Sequence, residues 1–485
     1  MRTKNSTASK AGLLVVLTLS LPACSLWPSY QTPTMEINPS WKETAPQGWQ
    51  AAKPQDAIPK GSWWTLFNDA ELSRLEQAAM QHNQTLQAAW ASLQQTHALT
   101  GLAQAARLPT LDLAAQASST QPSANRANNS NNSTVSTKIQ KNINPSFIAA
   151  YEVDLFGRIA HDIESAQSSE QQAQANFENL RLILAADVAT HYFNLRALDA
   201  DLALLQQTVT LQVQALSLAQ SRHTDGVATA LDEIQQEALL SKTHAQLSLG
   251  QRQRALTAHA LATLVGAQVN DFNLNAGSLG SNIPQIPTGL PADLLQRRPD
   301  IASAERAVAI ANNQIGVAKT AWYPSLRLSA SQGWQSTTIT NLFDTPSIVW
   351  SVGANLSQTI FDGGRNEARI AYARAGHDMA SAQYRQTVLN ALQEVEDGLS
   401  TARSLADASN NIAAATAASS KALTIIEHRY QAGASSVLEL ISARQNLLDN
   451  QRQAQTITAQ QWGNTVGLIK ALGGGWQNTF ISSAN

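Results

Sequence analysis

A helical pattern that passes directly into a strand pattern is the feature that most constrains this chain. In the stretch 294–332, apolar residues recur at helical spacing after Pro299, a residue that suits the first turn of a helix. From Pro324 onward, apolar and polar residues alternate, which is the period of a strand. The same change occurs earlier, at Pro109. Such a join is unusual in a soluble domain, and it is natural in a tube that passes from water into lipid.

The chain contains an internal duplication. The segment LFGR at 155–158 resembles IFDGGR at 360–365, and RHTDG at 222–226 resembles RYQAG at 429–433. Similar segments in the same order at a long period predict a repeated helix–strand–strand–helix–helix unit. The domain boundaries that we expect from these matches are a first repeat at 67–267, a linker at 268–290 and a second repeat at 291–474.

Four segments alternate as membrane strands do. Glu152 and Asp154 lie at every second position of one of them, so that strand must have a wet face. Each segment is about ten residues or longer, the length of a tilted membrane strand. An open four-stranded sheet in lipid would leave two unpaired edges, so other copies of the chain must close it. The predicted strands are about 109–119, 146–156, 324–334 and 347–361.

The remaining helical stretches are long and cover about 158–266 and 363–472. We predict that each consists of two long helices, with a connection near 197–201 in the first and near 398–404 in the second. Gly226 then only interrupts the helical run, as Gly433 does in the second repeat. A narrow apolar seam of the coiled-coil type lies in the second stretch. The seam residues are Leu389, Leu392, Val395 and Leu399.

The N-terminus has the features of a bacterial lipoprotein. Basic residues precede a short apolar run at 11–21, which predicts a signal peptide at 1–23 and is too short for a membrane span. Cys24 follows in a position that resembles a lipobox, which predicts cleavage before it and a covalent lipid, a diacylglycerol with an N-acyl chain. Ser25, in place of an aspartate, then implies the outer membrane. The alternative is ordinary cleavage with an incidental cysteine.

Flanking segments complete the predicted organisation. Residues 24–66 form an extended lead-in, whose Trp63 and Trp64 pack it onto the body. Asn68 or Asp69 caps the helix that follows, which ends near Arg107. Residues 475–485 form a C-terminal tail.

Composition and motifs exclude several function classes. The net charge of −2 gives no electrostatic footprint for nucleic acid. A single cysteine excludes a disulfide within the chain and a cysteine metal cluster. The histidines are scattered and none forms an HExxH pair, so we expect no metal site, no cofactor besides the lipid and no enzyme activity. A lipid-anchored periplasmic coiled-coil adaptor is a remote alternative that explains the helices but not the four strands.

Several blocks of sequence together resemble a known family. The segment LLQRRPDIASAERAVAIANNQIGVAKTAWYPSLRLSASQG at 294–333 is similar to the hallmark segment of the TolC-like outer-membrane efflux channels. The lipoprotein branch of these channels serves resistance-nodulation-division (NodT-type) pumps. YEVDLFGRI, FDGGRNEAR and RYQAGASSVLELISARQNLL match further blocks in order, and the resemblance covers about residues 60–475.

The resemblance implies a mainly α chain with membrane β-structure that works as a homotrimer. Each copy then gives four strands to a twelve-stranded outer-membrane β-barrel, and its long coiled-coil helices form a periplasmic α-barrel. Such a channel passively conducts small toxic compounds or drugs, with an inner-membrane transporter and a periplasmic adaptor as partners. Metal-ion efflux and type I protein secretion stay open as alternatives.

Two sets of residues are candidates for function within this scheme. The family closes its periplasmic tip with acidic and apolar rings. The matching region here contains Leu392, Glu396 and Asp397, just before the expected 398–404 turn. Glycines at the strand–helix junctions supply backbone conformations that other residues avoid. The predicted junction residues are Gly157, Arg158, Gly363, Gly364 and Arg365.

Overall fold

The computed structural model describes residues 30–43, 61–123, 138–280, 283, 284, 286, 291 and 297–474. Cys24, the predicted signal peptide and the C-terminal tail lie outside the described residues. Short 3₁₀ turns occur at Trp63–Phe67 and Thr345–Ser347. The longer elements, in chain order, are α1 (Ala70–His82), α2 (Gln84–Ala105), β1 (Thr110–Thr120), β2 (Gln140–Val153), α3 (Arg158–Thr224), α4 (Ala230–Leu264), α5 (Pro299–Thr320), β3 (Ser325–Trp334), β4 (Ile348–Ser357), α6 (Arg365–Gln431) and α7 (Val437–Ala471).

One compact unit, which includes residues 94–171 and 305–382, contains the sheet. Its four strands are antiparallel and lie in chain order, so β1 and β4 form the two edges. The four predicted strands are therefore confirmed. Their ends differ from the prediction, because β2 begins earlier, at Gln140, and β4 stops earlier, at Ser357.

The second compact unit, which includes residues 34–93, 172–304 and 383–474, is helical. An aromatic cluster packs the end of the lead-in against the helices of this unit. Trp63 and Trp64 are only 2% and 5% exposed, which confirms that they pack onto the body. Phe67 lies 4.9 Å from Phe193 between ring centroids, and Phe193 lies 4.6 Å from Trp462. Aromatic side chains bury large apolar areas, so this cluster anchors the lead-in to the helices.

The first predicted helix is in fact two helices. Asp69 caps α1 by accepting hydrogen bonds from the backbone N–H groups of Glu71 and Leu72. Asn83 then leaves the helical conformation, and its Oδ1 accepts from the Leu86 N–H at 2.9 Å as the cap of α2. The side-chain amide of Asn83 also donates to the Leu264 carbonyl. An asparagine with two such partners stabilises the break that the apolar pattern alone did not reveal.

The predicted connections near 197–201 and 398–404 are wrong, because α3 and α6 run through them without a break. Gly398 lies inside α6, where a Cβ would collide with the side chain of Leu468. This glycine therefore permits close helix packing and does not end a helix. The helical runs instead end beside Gly226 and Gly433, which have φ angles of +74° in short connections at 225–229 and 432–436.

The predicted seam on α6 is partly wrong. Val395 and Leu399 are fully buried, as expected, but Leu389 is 49% exposed. Val388 and Ala391 are buried in its place and continue the same face of the helix. The buried face of α6 passes through the smaller Val388 and not through Leu389. The prediction from the leucine spacing was therefore one position out.

The long helices of the two repeats have equal lengths. Both α3 and α6 contain 67 residues, and both α4 and α7 contain 35. Helices α6 and α7 each begin 207 positions after their counterparts α3 and α4, as position 365 follows 158 and position 437 follows 230. Equal lengths at a constant offset mean that residues 207 positions apart are structurally equivalent in these helices.

Candidate functional site

The sheet has one apolar face, and this face is exposed. The strand registers bring the apolar side chains of all four strands to the same side, because facing residues share a face. Val352 is 76% exposed and Leu111 is 72% exposed. A contiguous exposed apolar surface marks an interaction with lipid or with another protein. Its members are Leu111, Leu113, Phe147, Ala149, Leu326, Leu328, Ala330, Trp350, Val352 and Leu356.

The opposite face of the sheet is polar. Ser331 and Ser351 face one another across β3 and β4, with their hydroxyl oxygens 2.8 Å apart. Small polar and charged side chains of this kind suit a water-filled interior. The face carries Asp112, Gln116, Asn144, Glu152, Arg327, Ser329, Ser331, Ser351 and Asn355, interrupted by Ile148 and Val349. Glu152 therefore lies on the polar face, as the alternation predicts, and contact of that face with water stays a prediction.

Charged side chains cluster where the polar face reaches α3. Arg158 donates to Glu152 at 2.9 Å and to Asp162 at 2.9 Å. Arg327, opposite Glu152 in the next strand, has a nitrogen 3.6 Å from the same carboxylate. Two arginines thus neutralise the strand carboxylate, and Arg158 ties the end of β2 to the first turn of α3. Burial raises the pKa of the Asp162 carboxyl, and the positive charge of Arg158 lowers it in part.

The strand–helix junctions require glycine. Gly157 has a φ of +76°, Gly363 of +67° and Gly364 of +87°, the left-handed region that favours glycine. A Cβ on Gly363 or Gly364 would meet nothing within 4 Å, so the requirement is conformational and not steric. The importance of these residues for assembly stays a prediction, as it does for Arg158 and for the exposed Arg365.

Two aspartates at these junctions were missed by the sequence reasoning. Asp362 accepts hydrogen bonds from the N–H groups of Gly364, Arg365 and Asn366, which caps α6. Asp154 accepts from the Ala160 N–H at 2.8 Å at the start of α3. The signal was present, since an aspartate just before a helix is a usual cap.

The predicted gate residues do not lie at a helix end. Leu392, Glu396 and Asp397 are inside α6, so the turn on which their assignment depended is absent. Glu396 accepts the backbone N–H groups of Lys42 and Glu43, at 2.8 and 2.9 Å. A gate at these three residues stays a prediction without its original structural reason. Through these two hydrogen bonds, Glu396 instead holds the lead-in.

The neighbouring charges have partners of their own. Glu394 accepts from Arg298 at 2.6 Å, and the same guanidinium donates to the Ala471 carbonyl. Arg403, farther along α6, pairs with Glu43 at 2.8 Å. These contacts connect α6 to the start of α5, to the end of α7 and to the lead-in.

The ends of the long helices contact each other. The Arg222 guanidinium, near the end of α3, lies 5.0 Å from the centroid of the Tyr430 ring, near the end of α6. His223 Nδ1 lies 2.9 Å from a carboxylate oxygen of Glu233 on α4. These are the helix ends that the sequence prediction treated as pauses in the helical run.

Metal-ligand groups and apolar membrane-spanning helices are absent from the described residues. Among them, no group of three or more histidine, cysteine, aspartate or glutamate side chains is arranged to hold a metal ion. Within the same part of the chain, no helix combines the length and apolarity needed to cross a membrane.

Comparison with known proteins identifies the family. Residues 75–267 and 290–474 match the family described as outer membrane efflux protein. The solvent efflux pump outer membrane protein SrpC of Pseudomonas putida is 33% identical over 462 residues, which cover 94% of this chain and 97% of SrpC. The chain belongs to the outer membrane efflux protein family. The predicted family, the outer-membrane location and the role as channel component of an efflux pump are thereby confirmed. The members of this family are channels and not enzymes.

Solved structures share the fold of this efflux protein. The outer-membrane channel OprN matches with a TM-score of 0.83 and 27% identity, over 93% of this chain and 100% of OprN. The open state of the MtrE channel of Neisseria gonorrhoeae matches with a TM-score of 0.77 and 26% identity, over 93% and 98% of the two chains. The expected combination of long helices with a small antiparallel sheet is confirmed.

Proposed function

We propose that three copies of this efflux protein assemble into one channel, with a twelve-stranded β-barrel in the outer membrane and a periplasmic barrel of helices. The observation that carries this proposal is the open sheet. Its apolar face is exposed, its opposite face is polar, and β1 and β4 are edge strands. Hydrocarbon does not tolerate unpaired backbone groups, so β4 of one copy must pair with β1 of the next.

The duplication sets the register of this pairing. Thr110 faces Ala150 in the first hairpin, and Ser325 faces Ser357 in the second. Ser325 follows Thr110 by 215 positions, the spacing of Pro109 and Pro324, and Ser357 follows Ala150 by 207, the offset of the helices. The hairpins, the prolines and the helices therefore agree on which residues are equivalent.

The pairing of β2 with β3 then supplies the pairing of β4 with β1. Within one copy, Ser146 faces Gly333 and Val153 faces Leu326. Shifting each strand to its equivalent places Gly353 opposite Ser118 of the next copy and Ile360 opposite Leu111. Apolar residues of both strands then share one face. A register shifted by one residue would place them on opposite faces.

This register also accounts for the end of β4. In a single copy the strand stops at Ser357, and Ile360 is 87% exposed. In the trimer, β4 extends to Ile360, close to the predicted end at 361, because β1 of the next copy supplies the missing partner.

The assembled channel conducts passively, and its cargo is small toxic compounds, organic solvents included. The name of the relative SrpC as a solvent efflux pump component supports this class. An inner-membrane transporter drives export, and a periplasmic adaptor joins it to the channel. Metal ions and secreted proteins are the alternative cargoes.

Two measurements test the proposed function. The purified protein in planar bilayers is expected to give stepwise conductance, whereas the same preparation dissociated by heat gives none. A strain that lacks the gene is expected to become sensitive to solvents and drugs. Sensitivity to copper or silver alone, or loss of a secreted protein alone, would assign the channel to the alternative cargo.

We further propose that Cys24 carries the lipid. Its position after the signal peptide and the match to outer-membrane relatives over nearly the whole chain support this modification. Metabolic labelling with a radioactive fatty acid is expected to label the wild type and not Cys24→Ser. An unlabelled wild type would leave ordinary cleavage as the explanation.

A further inference from the structure

The strand–helix junctions of the two repeats are equivalent in backbone but differ in charge. Helix α6 begins at Arg365, 207 positions after α3 begins at Arg158, and β3 begins at Ser325, 215 positions after β1 begins at Thr110. Each junction therefore places the first arginine of a long helix beside the end of a strand. The charged residues around these two arginines are not the same.

In the first repeat, the arginine has its partners within the copy. Arg158 lies 2.9 Å from a carboxylate oxygen of Glu152 and 2.9 Å from one of Asp162. Arg327, which faces Glu152 from β3, brings a second positive charge to 3.6 Å from that carboxylate. Two arginines and two carboxylates thus balance each other at this junction.

The second repeat lacks both of these carboxylates. The positions equivalent to them, 207 residues later, are Thr359 and Arg369. Arg369 lies one turn along α6 from Arg365, where a like charge repels and does not bind. The carboxylate of Asp362 is occupied in capping three backbone N–H groups of α6. Among the described residues, the exposed guanidinium of Arg365 therefore has no ion-pair partner.

A carboxylate is present at the equivalent position of the strand that the next copy supplies. The position equivalent to Arg327, 215 residues earlier, is Asp112, on the polar face of β1. The derived register places Asp112 of the next copy opposite Thr359. Within a copy, Arg327 faces Glu152 in the same way. The Asp112 carboxylate is exposed and forms no ion pair with another described residue of its own copy.

We propose that the Arg365 guanidinium of each copy forms an ion pair with the Asp112 carboxylate of the next copy. This inference rests on the proposed trimer and on its strand register. The pair ties the first turn of α6 to the neighbouring β1, as Arg158 ties the first turn of α3 to β2 within a copy. The two kinds of junction then alternate around the ring. Because the pair lies on the polar face and is not deeply buried, it weakens with salt.

Paired cysteines test the placement, because Cys24→Ser leaves a chain without other cysteines. In that background, Thr359→Cys with Asp112→Cys is expected to give disulfide-linked dimers and trimers on mild oxidation. Glu152→Cys with Arg327→Cys is the matched control, because these residues face each other within a copy. The control pair is expected to leave the mass of a single copy unchanged.

Single-copy mass with the first pair would overturn the placement, provided that cysteines elsewhere along the β1 and β4 edges still trap a trimer. If the other edge cysteines also fail, the proposed trimer is wrong, and the inference falls with it.

A charge exchange tests the ion pair itself. Asp112→Arg and Arg365→Asp are each expected to lower the temperature at which the trimer dissociates, and a chain with both changes is expected to recover most of the loss. Gln116→Arg is the control, because it adds the same charge farther along the polar face of β1. Arg365→Asp is not expected to rescue it. Strictly additive effects of the changes at 112 and 365 would contradict the ion pair.

Mixed trimers distinguish a contact between copies from a contact within one copy. Asp112→Arg chains and Arg365→Asp chains are co-expressed with different tags, and trimers that contain both are purified. Such a trimer has complementary charges at every boundary but one, so it is expected to dissociate at a higher temperature than trimers of either chain alone. Rescue in the double variant without any gain in the mixed trimers would place the pair within one copy and overturn the inference.

Discussion

Glu76 on α1 makes the stability of the helical unit depend on pH. Its side chain is fully buried, and neither carboxylate oxygen has a hydrogen-bond partner. Burial raises the pKa of the Glu76 carboxyl from 4.5 to about 9. A carboxyl without a partner in an apolar site is far more stable in its neutral form, so the native state holds the acid form at neutral pH.

The sign of the effect follows from this raised pKa. Below pH 4.5 the carboxyl is neutral in the folded and the unfolded chain, and its contribution to stability is complete. Between pH 4.5 and about 9 only the unfolded chain ionises, so the free energy of unfolding falls by up to ~1.4 kcal/mol per pH unit. From pH 4.5 to neutrality, the loss is about 3 kcal/mol.

Glu76→Gln removes this loss, because an amide does not titrate. The measurement is the thermal unfolding temperature of the detergent-purified protein between pH 4.5 and 8, followed by tryptophan fluorescence. We expect the variant to gain progressively on the wild type as the pH rises. An identical pH dependence for the two proteins would refute the reasoning.

Glu71 on the same helix provides a control of opposite sign. A hydrogen bond from Arg74, at 2.6 Å, lowers the pKa of the Glu71 carboxyl. Its contribution is therefore present above the ordinary pKa and is lost as the pH falls. Glu71→Gln is expected to differ from the wild type by a small amount at neutral pH and not in acid, since the pair is partly exposed.

The remaining predictions concern packing, the lead-in and a junction. Leu399→Ala should lower the free energy of unfolding by about 2–5 kcal/mol, because this leucine is buried. Leu389→Ala should lower it by much less, because its side chain is exposed. Thermal unfolding of the two variants measures the difference. Glu396→Gln should make the segment around Lys42 more sensitive to protease, with Asp397→Asn as the control, and equal sensitivity of the two variants would contradict the role of Glu396 in holding the lead-in. Gly364→Ala should cost about 1–2 kcal/mol from its positive φ and lower the yield of heat-stable trimer, and a normal yield would contradict the junction role.

The sequence predicted the sheet well because two independent signals agree there. Alternation fixed the faces of the strands, and the prolines at 109 and 324 fixed where each repeat changes from helix to strand. The side-chain period and the proline positions are both local signals, so they predict the strands without knowledge of the tertiary packing. The aspartate caps at the junctions could also have been predicted, because an aspartate just before a helix is a usual cap.

The sequence misplaced the helix ends because glycine has two opposite uses. Gly398 permits close packing against Leu468 inside α6, whereas Gly433 ends that helix with a positive φ. The amino-acid type is the same in both cases, and only the neighbouring helix distinguishes them. The gate assignment inherited this error, because it placed Glu396 beside a turn that does not exist.

Closure of the barrel between copies is tested most directly by one pair of cysteines. The derived register places Asn355 on β4 opposite Gln116 on β1 of the next copy, both on the polar face. In the Cys24→Ser background, Asn355→Cys with Gln116→Cys is expected to form disulfides that hold a covalent trimer in denaturing gels. Asn355→Cys with Ala117→Cys, one residue out of register and on opposite faces, is expected to stay monomeric. A chain that remains monomeric with the first pair, or that links equally well with the second, would contradict closure of the β-barrel in this register.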